Sequence, residues 1–251
     1  MTNIARPSVA SLLLQMTWHG NPLATGTGFV VEKDGITYLV TNRHNLAGVN
    51  AAGEPRSSRG VVPDAVQILH NGTQLGTWQS REERLTDQDE RPLWLEHPAL
   101  GARVDVVALK LHNTEGINLH PHDPWATEPN VAVGVAQDVS IIGFPFGLTG
   151  GGAFGIWSRG TIATEPAVDH DGLPRFLIDS RTREGQSGSP VIIYAASGSV
   201  PMADGGVAMF GGPVEKFIGI YSGRINKESD LGFVWKASAV AEVVEQGSRL
   251  T

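Results

Sequence analysis

Apolar and polar residues alternate along this chain in short bursts rather than in long helical stripes. The segments SLLLQMTW (11–18), GTGFVVE (26–32), ITYLVTN (36–42), AVQILH (65–70) and DVVALKLH (105–112) are rich in Val, Ile, Leu and aromatics. So are DVSIIGF (138–144), RFLIDSR (175–181), PVIIY (190–194), FIGIYSG (217–223) and LGFVWKA (231–237), and Gly, Pro, Asn or Asp bounds each of them. That pattern predicts β-strands. Asp-Gly pairs in EKDGIT (32–37) and DHDGLP (169–174) predict tight turns. Only SAVAEVVEQG (238–247) has helical spacing: Val240, Val243 and Val244 share a face, Ser238 is a candidate cap, and Gly247 a candidate stop. The expectation is an all-β chain with a C-terminal helix.

The polar stretch 112–130, HNTEGINLHPHDPWATEPN, divides the strands into two groups. It predicts one lobe over 1–118 and a second, ending in the helix, over 119–251. The charged run REERLTDQDER (81–91) reads as a solvated loop or short helix. Composition sharpens this picture at a few points. Thirty-one glycines and 15 prolines demand frequent turning. A net charge of −7 argues against nucleic-acid and acidic-membrane partners, which favour basic surfaces. With no cysteine there is no disulfide, thiolate metal site or Cys nucleophile. The N-terminal apolar patch is broken by Gln15 and lacks a cleavage pattern, so this segment is not expected to direct export and the expectation is a soluble, cytoplasmic protein.

Three residues carry chemistry when taken together. His44 follows the apolar strand YLVTN, at a strand end where functional side chains often sit. Asp105 lies in an aliphatic run, where a carboxylate is costly to bury without a partner. Ser187 stands between glycines in REGQSGSPVI (183–192). Alone, each has an ordinary reading as a packing, surface or turn residue. Acyl transfer by serine, however, needs a base, an acid group to orient that base, and backbone donors for the oxyanion.

The strings GTGFVV, YLVTNRH, DVVALKL, IIGFPFGL, GQSGSPV and IGIYSG occur in the order seen in bacterial trypsin-like serine peptidases, HtrA-type protease domains included. The chain resembles that family from about Gly26 to the final helix. The resemblance implies a chymotrypsin fold of two six-stranded antiparallel β-barrels with a C-terminal helix. It implies a serine endopeptidase with His44 as base, Asp105 as orienting acid and Ser187 as nucleophile, in the order His, Asp, Ser. Gly185 and Ser187 would supply the oxyanion N–H groups, and neither a metal nor an organic cofactor would be needed. Gln186 stands where the digestive enzymes carry the aspartate that pairs with a new N-terminus, so that zymogen switch is missing, and Ser189 replaces a glycine.

Family position also implies a substrate lying extended along Tyr221, Ser222 and Gly223. Arg181, six residues before Ser187, occupies the position that sets charge preference. It would favour an acidic residue before the scissile bond by charge-assisted pairing. Against this stand a pocket for small or aliphatic residues and an Arg181 that faces solvent or pairs with Glu184. Expected partners are protein or peptide substrates and, on one reading, a regulatory protein. Two alternatives stay open: an inactive module of this fold that binds a partner, and a protease latent until a partner orders its cleft. HPHD (120–123) is better read as solvated linker than as a metal site. GLTGGGAFG (147–155) reads as a loop beside the site, and Trp78, Trp94 and Trp157 as packing.

Overall fold

The computed structural model describes residues 4–49, 55, 57, 60–226 and 228–248. Helix α1 (Arg6–Ala10) leads into β1 (Ser11–Trp18), which returns as β2 (Asn21–Lys33) and again as β3 (Ile36–Thr41). At the second turn Asp34 and Gly35 take φ of 50° and 75°, the conformation an Asp-Gly hairpin needs to match strand twist. Helix α2 (Arg43–Ala47) follows. Then β4 (Ala65–Gly72), β5 (Trp78–Arg84), β6 (Trp94–Leu95), β7 (Val107–Lys110) and β8 (Ile117–Asn118) complete an eight-stranded antiparallel sheet. Its order is β5-β4-β1-β2-β3-β7-β6, with β8 beside β4. The sheet curls until its ends meet, where Leu93 N–H donates to Leu85 O at 2.9 Å.

The second sheet is a closed antiparallel barrel. Its first four strands are β9 (Asp138–Gly143), β10 (Ile156–Ile162), β11 (Arg175–Ser180) and β12 (Pro190–Ala195). A separate hairpin follows, formed by β13 (Gly198–Pro201) and β14 (Val207–Phe210). Then β15 (Val214–Arg224) and β16 (Leu231–Lys236) close the ring β10-β11-β16-β15-β12-β9, and helix α3 (Ala237–Gln246) ends the fold. The mostly β architecture and the terminal helix agree with the sequence pattern.

Period-two side-chain alternation explains where the cores sit. Leu12, Leu14 and Met16 of β1 enter the first core with Val30, Ile68 and Leu109. Val139, Ile141, Ile178, Val191 and Val234 fill the barrel. A third cluster lies between the sheets: Phe29, Val31, Val40, Val106 and Ala108 meet Ile220, Trp235 and α3's Val240, Val243 and Val244. β7 therefore reads as an unbroken apolar run because both its faces are covered. Each of the three α3 valines, once buried, contributes about 1.5–3 kcal/mol. This shared core fixes the two sheets relative to one another, and the cleft that carries the site depends on it.

Four expectations need correction. The run 81–91 is not a loop throughout: Arg81–Arg84 finish β5, paired in register with β4. Its polar pattern suits an edge strand, where charge discourages further pairing. Ser238 does not cap α3; the N-cap is Lys236, while Gly247 does end the helix, its N–H donating to Val243 O at 3.1 Å. HPHD is not solvated throughout: the His122 side chain is buried against Phe29 and Phe217, with Nδ1 3.4 Å from Glu215. Burial holds the His122 pKa below the usual imidazole range, against the pull of Glu215. Finally, β10, β13 and β14 were not foreseen. In β10, IWSRGTI interrupts its apolar positions with Arg159 and Gly160, and Gly160 is required because a Cβ there would lie 2.5 Å from Asp179 O.

Candidate active site

A cleft of about 990 Å³ runs between the two sheets and is lined by His44, Asp105, Gly185, Ser187, Ser222 and Gly223, among others. His44 rides on α2, whose N-cap is Asn42 and whose C-cap, Gly48, takes φ 64°. Gly48 has no substitute there, since a Cβ would lie 2.3 Å from Pro63 Cδ. Asp105 enters just before β7. Its Oδ2 lies 2.7 Å from His44 Nδ1, and its Oδ1 accepts the His44 backbone N–H at 2.9 Å. Ser222 Oγ donates to the same Oδ2 at 2.5 Å, and Asn42 Nδ2 holds the Asp105 carbonyl at 2.8 Å. Burial alone would push the Asp105 carboxyl up, but the facing His44 and these donors together hold it below the usual range. Asp105 is thus a carboxylate, so the proton between it and Nδ1 is assigned to the imidazole.

Ser187 sits in a turn that two glycines make feasible. Gly185 has φ 90°, and a Cβ on it would lie 2.3 Å from Phe144 O; a Cβ on Gly188 would lie 1.9 Å from Thr27 O. The turn is clamped to the first sheet. Ser187 O accepts Thr27 N–H at 3.0 Å and Asn45 Nδ2 at 3.1 Å. Thr27 Oγ1 donates to Gly185 O at 2.8 Å and accepts Phe144 N–H at 3.1 Å, while Asn45 Nδ2 also reaches Thr41 Oγ1 at 3.0 Å. Gln186 is buried: its Oε1 accepts Arg183 N–H at 2.7 Å and its Nε2 donates to Ser158 Oγ at 2.8 Å. The glutamine thus ties the loop from within. Among the described residues, the N–H groups of Gly185 and Ser187 have no protein acceptor.

The third link of the constellation is open. Ser187 Oγ donates to Ser222 O at 3.3 Å, and the buried His44 Nε2 has no hydrogen-bond partner. His44 and Asp105 are joined; Ser187 and His44 share the cleft without a hydrogen bond between them.

The residues assigned to substrate recognition divide. Gly223 lines the cleft, and a Cβ added to it would lie 4.0 Å from Ser187 Oγ. Ser222 serves Asp105 and Ser187 as described. Tyr221 is not a docking edge. Its N–H donates to Ser189 O at 2.9 Å, its carbonyl accepts Gly188 N–H at 2.8 Å, and its ring is buried in the barrel core. Its phenol meets Thr182 Oγ1 at the cleft. Arg181 does not enter the cleft. Ser180 and Thr182 are buried, so the residue between them points outward, 86% exposed and 3.9 Å from Asp230 rather than beside Glu184.

Thr27, Asn45 and Phe146 were missed from the sequence. Phe146 lines the cleft, and its N–H donates to Glu184 O at 2.6 Å, so the turn Pro145–Gly147 braces the loop before Ser187. Thr27 and Asn45 flank recognised strings, but nothing in a Thr or Asn by itself marks a clamp.

A cleft between two β-sheets, with a histidine held by a carboxylate and a serine on a glycine-bounded turn, defines the class of chymotrypsin-like hydrolases. Residues 26–200 match the trypsin-like peptidase domain, and the chain belongs to that family; it is a serine protease. Solved structures repeat the fold. The active form of the Rv3671c protease of M. tuberculosis is 19% identical with a TM-score of 0.53, covering 98% of this chain and 83% of its own. The serine endoprotease from Yersinia pestis is 16% identical with a TM-score of 0.52, covering 96% of this chain and 63% of its own. The thermostable serine protease AL20, from an extremophilic microorganism, is 14% identical with a TM-score of 0.52, covering 95% and 97%. A search of curated proteins finds no match to the chain.

Proposed function

We propose that this protein hydrolyses peptide bonds through an acyl-enzyme on Ser187, with His44 as general base and Asp105 as its orienting acid. The observation that carries the reading is the pair of Asp105 contacts to His44, at ring and backbone. With Nδ1 committed to the carboxylate, the lone pair lies on Nε2, the ring nitrogen left without a partner. Ser187 Oγ leaves the Ser222 carbonyl, gives its proton to Nε2 and attacks the scissile carbonyl carbon. The imidazolium then protonates the departing amine, and water, deprotonated by the same nitrogen, releases the acid. The Gly185 and Ser187 N–H groups receive the oxyanion, a service worth roughly 3 kcal/mol per donor. Extended substrate lies along Ser222 and Gly223.

Labelling with a fluorophosphonate probe tests this. Wild type is expected to label and Ser187→Ala not to; equal labelling of both would refute it. The Ser187–Ser222 hydrogen bond supports a second reading, in which the enzyme rests latent until an occupant of the cleft turns the hydroxyl toward His44. That reading expects labelling to speed up when a non-hydrolysable peptide binds outside the oxyanion site.

A further inference from the structure

The chain carries 26 acidic against 19 basic side chains, yet its cleft reverses that balance. Among the described lining residues are Arg43, Arg103, Arg175, Arg183 and Arg224, against Asp105 and Glu184 as the only carboxylates. Arg43 pairs with the buried Glu96 at 2.8 Å and Arg175 with Asp171 at 2.9 Å, both away from Ser222 and Gly223 in the chain. Arg183 is exposed at the rim beside Glu184, and Arg103 is exposed as well. Arg224 is the one that strand geometry directs to the pocket beside the nucleophile.

The register of β15 on β16 places Arg224 directly opposite Gly232. Side chains of directly paired residues leave a sheet on the same face. A Cβ on Gly232 would meet Tyr221 Cε2 at 2.5 Å and the Tyr221 hydroxyl at 2.9 Å. Arg224 therefore emerges on the face where the Tyr221 phenol and its Thr182 partner lie, and all three line the cleft with Gly185, Ser187 and Gly223. Burial pushes the Tyr221 pKa up, while Thr182's hydroxyl and Arg224's charge pull against it. Two hydroxyls bonded to each other use one proton between them and keep a second to donate. A cation with a hydroxyl donor beside it is a carboxylate-binding set.

We propose that Arg224, with the Thr182–Tyr221 hydroxyl pair, selects an acidic side chain at the residue before the scissile bond, so that the substrates are polypeptides cut after glutamate or aspartate. This assigns to Arg224 the preference that the sequence suggested for Arg181. It rests on the acyl-enzyme reading, because the pocket is defined by its place beside Ser187.

Two measurements separate this proposal from that reading. In the first, quenched peptides differing only at the residue before the cut (Glu, Asp, Gln, Ala, Val or Lys) are compared by kcat/KM. Wild type is expected to favour Glu or Asp over Gln by roughly tenfold or more. Arg224→Gln should bring the Glu-to-Gln ratio close to one, and Arg224→Glu should favour Lys; Arg181→Gln should leave the ratio as in wild type. In the second, Ser187→Ala binds fluorescent product peptides ending in Glu, Gln, Ala or Lys, read by anisotropy. The Glu ending is expected to bind tightest, and Ser187→Ala/Arg224→Gln to lose that advantage. Binding needs no catalysis, so this arm stands even if no peptide is cut. A preference for Val or Ala, or an acidic preference that survives Arg224→Gln, overturns the proposal while leaving the serine mechanism intact.

Discussion

Replacing Asn45 tests whether the turn bearing Ser187 is held by polarity or by mere filling of space. Asn45 Nδ2 donates to Ser187 O at 3.1 Å and to Thr41 Oγ1 at 3.0 Å, in a side chain that is buried. Asn45→Ala removes both bonds but orphans neither acceptor. Ser187 O keeps Thr27 N–H, and Thr41 Oγ1 keeps donating to Thr27 O at 2.7 Å. The expected cost is therefore the net value of two neutral hydrogen bonds, about 1–3 kcal/mol together, without a desolvation penalty on top. Asn45→Asp keeps the shape and reverses the polarity, setting a carboxylate oxygen against the Ser187 carbonyl. It should cost more than Ala, because an ionised group is buried against an acceptor. The assay is urea unfolding at neutral pH, with the midpoint as readout and an unchanged m-value as the check on two-state behaviour. Peptide kcat/KM should fall in the same order, wild type above Ala above Asp. An Asp variant as stable as or more stable than the Ala variant would show that Asn45 only fills space, and would refute the clamp.

Two further outcomes follow from the geometry. His70 is buried and its pKa is lowered to about 4, by burial first and then by Arg81, with Glu83 pulling the other way. Between that value and the usual 6.5 the unfolded chain binds the extra proton, so stability rises with pH across the window and falls on acidification by roughly 3 kcal/mol in total. Urea midpoints from pH 7 to pH 4 should show this slope in wild type and a shallower one in His70→Gln; parallel slopes would contradict it. Gly188→Ala places a Cβ 1.9 Å from Thr27 O at φ 91°, so the Ser187 turn must move. Fluorophosphonate labelling should fall at least tenfold even in variants that circular dichroism shows to be folded, and undiminished labelling would contradict the required glycine.

Much of this was legible in the sequence, for identifiable reasons. Strands with one buried face, such as β1, announce themselves through alternation, and β7, buried on both faces, through a continuous apolar run. His44, Asp105 and Ser187, which all line the cleft, stood out in the sequence because acyl transfer needs three unlike groups and their chain order is that of one family; the chemistry itself fixes no order. What escaped depended on neighbours far along the chain. β5 reads as a charged loop until β4 is seen beside it, with Glu83 accepting the His112 backbone N–H at 2.9 Å. Arg181 lies at the right distance from Ser187 along the chain, but alternation turns it outward between Ser180 and Thr182, and an offset of one residue reverses a side chain's face. Arg224 could be placed only once the register of β15 on β16 was known.

The central claim is that Ser187 becomes acylated, and trapping the intermediate tests it most directly. The full chain is mixed with an activated ester, quenched in acid and digested, and the acyl group is located by peptide mass spectrometry. The expected result is a single acyl adduct on Ser187, formed in a burst before steady turnover, lost in Ser187→Ala and slowed by orders of magnitude in His44→Ala. A folded protein that hydrolyses the ester without an adduct on Ser187, or with the adduct on another residue, would contradict the account.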